Sequence, residues 1–298
     1  MPNWGDVLKE IQEEGILSPL DKVRRKYLKE LSEYTQRNVI IYYSGWLQRS
    51  SAPMQSIVYD GDMNSFMSVI NGLDRSKGLD LILHTPGGIV ASTESIVAYL
   101  RKMFKNNIRC FIPQLAMSCG TMMACACREI YMGKESSIGP IDPQFGGMAA
   151  FGVIEEFNRA AEEIKKHPEK IPLWQAIYSK IPAGFITDCQ QAIDRSEALV
   201  LEWLKTGMFA KSKTAEAKAR QVVNFLNNHH DTKAHDLHID AVQARRIGLK
   251  VVDLEKDQTL QDLVLTVHHA CMHTFAQAQS LQKIVENHNG VGTFFSGN

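Results

Sequence analysis

Runs of strand-forming residues alternate, along the first half of this chain, with segments whose apolar residues recur at helical spacing, and nothing else in the sequence constrains its fold as strongly. Residues 38–47 (NVIIYYSGWL) are β-branched and aromatic, residues 79–84 (LDLILH) form a second apolar run of strand length, and Met63, Phe66, Met67, Ile70 and Leu73 between them recur with the period of a helix. The unit repeats. Val90, Ile96, Val97, Leu100 and Phe104 share one helical face, residues 108–113 are strand-like, and a small-residue segment over 118–127 leads to a further short strand over 129–133. Strands and helices alternating at this length predict an α/β fold whose parallel sheet is covered on both faces, with its functional loops at the carboxyl ends of the strands.

The second half is more helical. Residues 151–209 read as helix interrupted at His167-Pro168, Ile171-Pro172 and Pro182-Ala183-Gly184, a helical continuation of the first half with no linker-like stretch between them. Asp240, with Gln243 three residues on and Gly248 at the stop, marks a short capped helix, and residues 249–254 return as a strand. Residues 257–287 are expected to be helical and 288–298 a loose tail. At the other end, residues 6–36 read as a charged helical arm broken at Gly15 and Ser18-Pro19. The expected division is therefore an arm over 1–37, an α/β domain over 38–256, and a terminal helix and tail over 257–298.

Charge and composition exclude several function classes. Lys plus Arg and Asp plus Glu each number 33, so no net charge draws the chain toward nucleic acid or an anionic membrane. No segment approaches the ~20 apolar residues needed to span a bilayer, and the charged first 20 residues lack a signal-peptide core. Six cysteines lie mostly in apolar or small-residue runs without paired Cys-x-x-Cys spacing. The expectation is a cytoplasmic protein with reduced buried thiols, no zinc site, no cofactor, no nucleic-acid partner and no membrane anchor. His269 and His273 lie one helical turn apart without the accompanying Glu of a metalloprotease and read as a helix face, while Trp174, Trp203 and Phe209 read as packing residues.

Two strand-end loops carry the chemistry. Gly87-Gly88 follows a strand and precedes a helix, and paired glycines let backbone N–H groups approach a substrate atom closely. Ser118 stands at a second strand-to-helix junction, followed by Cys119, Gly120 and Thr121, where a hydroxyl is placed to attack a carbonyl. Taken singly, a serine before a helix is a common N-cap and Pro-Gly-Gly a common turn. Their combination is more specific.

Leu81-Ile82-Leu83-His84-Thr85-Pro86-Gly87-Gly88, then Ala116-Met117-Ser118-Cys119-Gly120-Thr121, then Ser137-Ile138-Gly139-Pro140-Ile141-Asp142-Pro143-Gln144 resemble the serine dehydrogenase proteinase family, distant kin of the Clp proteolytic subunit and signal peptide peptidase A. The resemblance continues over 203–209 and 235–249. It implies a Clp/crotonase-type fold, homo-oligomers with shielded sites, and a serine peptidase acting on peptides or unfolded proteins. Carried over, Ser118 is the nucleophile, with Gly87, Gly88 and the Cys119 N–H as oxyanion donors. Asp142 is the choice for the acid, because Gly139-Pro140 and Pro143 fix the backbone around it. His235 is the choice for the base, since a neutral imidazole takes a serine proton near neutral pH.

The neighbours His229, His230 and His238 leave the base open, and a lysine dyad of the signal-peptide-peptidase kind points instead to Lys165 or Lys166. Cys119 departs from the small residue expected after the nucleophile and suggests sensitivity to oxidation or alkylation. The chain has no Walker-type loop, so ATP dependence would come from a partner. Two other readings stand beside the peptidase: a crotonase-like acyl-CoA enzyme using the same loops without a nucleophile, and a non-catalytic oligomeric scaffold.

Overall fold

The computed structural model describes residues 19–49, 54–227 and 237–297. Its first element, α1 (Pro19–Thr35), begins on proline, whose missing N–H is no loss in a first turn, and buries Val23, Arg24, Leu28 and Leu31. Then follow β1 (Asn38–Ser44), α2 (Asp62–Ile70), β2 (Leu79–His84), α3 (Val90–Phe104), β3 (Ile108–Ile112), β4 (Leu115–Ala116), α4 (Cys119–Cys125), β5 (Glu129–Met132) and β6 (Ser137–Ile138). A small hairpin, β7 (Gln144–Phe145) and β8 (Met148–Ala149), leads into α5 (Ala150–Lys166), α6 (Ile171–Tyr178), α7 (Phe185–Thr206) and α8 (Ala215–Asn227). The chain ends with β9 (Ile239–Asp240), α9 (Ala241–Arg246), β10 (Val251–Asp253), α10 (Gln258–Gln277), β11 (Leu281–Asn287) and β12 (Gly292–Ser296).

The architecture is mixed α/β. Among the described residues the main sheet runs β10-β5-β3-β2-β1-β11-β12. Its first five strands are mutually parallel, and β11 and β12 are antiparallel additions. Alternation along β1 divides the core: Ile40 and Tyr42 pack with α2, α3 and α4 on one face, Val39, Ile41 and Tyr43 with α1 and α10 on the other. Both faces being covered, β1 and β2 are buried along their whole lengths, as a parallel sheet between helical layers requires.

The sequence pattern predicts helix to residue 287 and a loose tail beyond it; the chain instead leaves α10 at Gln277 and returns as a β11–β12 hairpin on the sheet edge. Asn287 closes that hairpin, its Oδ1 accepting the N–H groups of Asn289 and Val291 at 2.9 and 3.1 Å. Burial of the charged Lys283 and Glu286 in β11 broke the apolar alternation that normally announces a strand. Arg24 of α1 satisfies Glu286 at 2.7 Å, and so the N-terminal helix is fastened to the C-terminal strand.

Among the described residues no helix is long and apolar enough to cross a membrane. The helical second half divides its packing: Val200, Trp203 and Leu204 of α7 join the main core, whereas Cys189 and Ile193 near its start form a small cluster with Ala150 at the start of α5.

Candidate functional site

The carboxyl ends of β2 and β3 open into the two loops singled out by sequence, and backbone hydrogen bonds hold them together. Thr85 N–H donates to Leu115 O at 3.1 Å and Met117 N–H donates to Thr85 O at 3.0 Å, so the residues leaving β2 run as a short ladder beside β4. Val58, in the connection after β1, bridges the glycine loop from its other side: its N–H donates to Gly87 O and its O accepts from Ile89 N–H, both at 2.8 Å. Gly87 and Gly88 both have positive φ, 102° and 156°. At Gly88 any Cβ would run into the Val58 backbone.

Within that loop the N–H groups differ. Gly87 N–H donates to Thr85 Oγ1 at 3.1 Å. Neither Gly88 N–H nor Cys119 N–H donates to a backbone carbonyl among the described residues, and the Cys119 thiol lies against the Gly88 backbone. Ser118, between Met117 and Cys119, has φ 50° and ψ −115°, a strained backbone for a residue with a Cβ. Its hydroxyl makes no capping hydrogen bond to α4, so the common structural use of a serine at a helix start is absent.

Thr121, one turn into α4, braces the next segment. Its Oγ1 donates to Ala116 O at 2.8 Å and accepts Gly139 N–H at 2.9 Å, tying the serine turn to the Gly139-Pro140-Ile141-Asp142 stretch. A second sheet, β4-β6-β9, aligns the three segments of interest: Ala116 pairs with Ile138, and Ile138 with Ile239. Ser118 therefore lies two residues after this register line, Asp142 four after it, and position 235 four before it.

A cleft of about 650 Å³ opens over these groups. Ser118, Gly87, Gly88 and Asp142 all line it, with Ile57, Val90, Met122, Ile141 and Phe145 supplying apolar walls. One face of α7 (Asp188, Gln191, Ala192, Arg195) closes the far side, and Arg195 reaches across to Glu94 of α3 at 2.6 Å. Asp142 is 1% exposed.

The other residues named from sequence fall differently. His235, like His229 and His230, lies outside the described residues. His238 is exposed immediately before β9, and Lys165 and Lys166 are exposed at the end of α5, away from the cleft lining, Lys165 paired with Glu162 at 2.7 Å. Cys119 is fully buried; its thiol donates to Gly88 O at 3.1 Å and burial pushes its pKa up, which removes the exposed thiolate that reactivity needs. Sequence reasoning missed Val58, Thr121 and the α7 wall. Only Thr121 stood inside a recognised motif.

This arrangement agrees with what comparison with known proteins finds. A family model described as ClpP-like SDH-type serine proteinase matches residues 17–275. Two uncharacterized proteins of Methanocaldococcus jannaschii are similar: one is 29% identical over 78% of this chain and 74% of its own length, the other 28% identical over 67% of this chain and 60% of its own length. The match takes in both strand-end loops, the segment carrying Asp142, α7 and β9, and the chain belongs to the ClpP-like SDH-type serine proteinase family.

Proposed function

We propose that this protein is a serine peptidase of Clp/crotonase-type fold that cleaves peptides or unfolded chains without ATP, through an acyl-enzyme on Ser118. One observation carries the reading. A serine in a strained backbone, its hydroxyl unused as a cap, lines a cleft together with Gly87 and Gly88, and neither Gly88 N–H nor Cys119 N–H donates to a backbone carbonyl among the described residues. Strain of that kind costs roughly 1–3 kcal/mol and persists where function uses it.

In this mechanism Ser118 Oγ attacks the substrate carbonyl carbon, and the oxygen that becomes an anion receives hydrogen bonds from Gly88 and Cys119. Gly87 shapes the loop, its own N–H being occupied by Thr85. The serine proton passes to a base and from it to the departing amine; water then attacks the ester carbonyl and frees Ser118. The base is assigned to His235, the choice that the family resemblance implies, which lies outside the described residues. Asp142 is assigned to orient it. Self-association belongs to the same proposal, and exposed Met148, Phe157 and Leu173 around α5 and α6 offer an apolar face for it.

The test is hydrolysis of unfolded casein and of fluorogenic peptides by the full chain and by Ser118→Ala. Loss of turnover in the variant, with an unchanged unfolding transition, is expected. Equal turnover by both would place the nucleophile elsewhere.

A further inference from the structure

Lys283 in β11 is a fully buried cation far along the chain from the motif residues, yet it reaches the glycine loop through two steps. Its Nζ donates to Ile57 O at 2.6 Å and to the Asp62 carboxylate at 2.7 and 2.9 Å. Both side chains are 0% exposed. Asp62 Oδ2 also accepts the Tyr42 hydroxyl at 2.7 Å and Tyr59 N–H at 3.1 Å. The ammonium is enclosed by the rings of Tyr59, Tyr42 and Phe295, whose centroids lie 4.6, 5.2 and 5.2 Å away.

The residues so gripped, Ile57 and Tyr59, flank Val58. Val58 is the residue on which Gly87 and Ile89 are hydrogen-bonded, and it belongs to no helix or longer strand that could hold it independently. Ser92 of α3 adds one more tie, donating to Asp60. Burial pulls the Lys283 ammonium down to about 8 and raises the Asp62 carboxyl, while each partner's charge and hydrogen bonds favour the other's ionised form.

We infer that the Lys283–Asp62 ion pair is a positioning device for the oxyanion loop: it fixes Ile57–Tyr59 as the template on which Gly87–Ile89 is laid, and so sets where the Gly88 N–H points. Lys283 touches no substrate and acts through Val58. The inference rests on the peptidase reading for its catalytic consequence, while the positioning itself is measurable without any turnover.

The experiment uses the double variant Lys283→Met/Asp62→Leu, which leaves no lone buried charge, beside Lys283→Met alone. Amide hydrogen exchange of the full-length protein is followed at Val58 and Ile89 and at the core amides of Leu81 and Cys110. Exchange at Val58 and Ile89 at least ten times faster, with the core amides unchanged, is expected. Peptide hydrolysis then gives the second reading: kcat lowered at least tenfold, KM unchanged, and Ser118 still labelled to full stoichiometry by a fluorophosphonate. Unchanged exchange at Val58 and Ile89 overturns the inference whatever the activity, and faster exchange with unaltered kcat overturns its catalytic part. If the unsubstituted protein neither hydrolyses peptides nor takes the label, the exchange result still decides the positioning and it is the peptidase reading that falls.

Discussion

Gly87 lies so close to Ser118 that a Cβ on the glycine would stand 2.7 Å from the serine Cβ, and 2.9 and 3.0 Å from Met117 O and Cys119 N. Nothing larger than hydrogen fits between the glycine loop and the serine turn, and the positive φ of Gly87 compounds the restriction. Gly87→Ala is therefore expected to push the two loops apart. The expected loss in kcat/KM is about 10²-fold or more, the scale of a displaced oxyanion donor, with only ~1–2 kcal/mol lost in urea unfolding. Activity equal to the parent's would mean that the two loops do not act together.

The assignment of the base separates four variants. His235→Gln and Asp142→Asn are expected to lower kcat by about 10²–10⁴-fold, the range seen when a base or its orienting acid is removed. Exposed His238 and Lys165 lie off the cleft, and His238→Gln and Lys165→Met are expected to leave kcat unchanged. A loss confined to the lysine variant would restore the dyad mechanism.

Cys119 sits beside the nucleophile but turns its thiol inward to Gly88 O. Native protein treated with a maleimide is expected to keep Cys119 unmodified and activity intact, whereas denaturation exposes all six cysteines, every one buried in the fold. Peptide mapping that finds Cys119 alkylated in the native state, with activity falling in step, would contradict the geometry.

His84 and His268 are expected to set the acid limit of stability. They are buried together, ring centroids 5.4 Å apart, with Trp46 at 4.4 Å from His84, and both His84 nitrogens lack hydrogen-bond partners among the described residues. Burial holds His84 well below the ordinary range and His268 down to about 3. Below about pH 6.5 the unfolded chain takes up a proton on each ring that the folded chain refuses, so stability falls as pH is lowered, by up to ~2.7 kcal/mol per pH unit for the two rings. Urea midpoints measured from pH 7 to 4 check the slope, and His268→Asn should halve it. A flat profile would show that these rings titrate freely in the fold.

The strands β2, β3 and β5 were legible because their apolar runs are short and bounded, and α1 and α9 because Ser18-Pro19 and Asp240 mark their starts. Asp240 does cap α9, accepting Gln243 N–H at 2.7 Å. The β11–β12 hairpin carried a signal that the apolar pattern masked: Asn289-Gly290, with Gly290 at φ 78°, is the turn dipeptide expected between two paired strands. Val58 had no local signal, because its role comes from pairing with a loop distant in sequence. The strain at Ser118 was equally hidden, since a backbone angle is imposed by the Thr85 and Thr121 braces and not by the serine itself.

The central claim is that the Ser118 hydroxyl is the nucleophile, and the most direct measurement is peptide-level mass spectrometry of the unsubstituted protein after reaction with a fluorophosphonate. One phosphonyl adduct per chain on the peptide carrying Ser118, absent when the protein is first unfolded in urea, is the expected result. An adduct on another residue, or none under conditions in which the protein hydrolyses peptides, would contradict it.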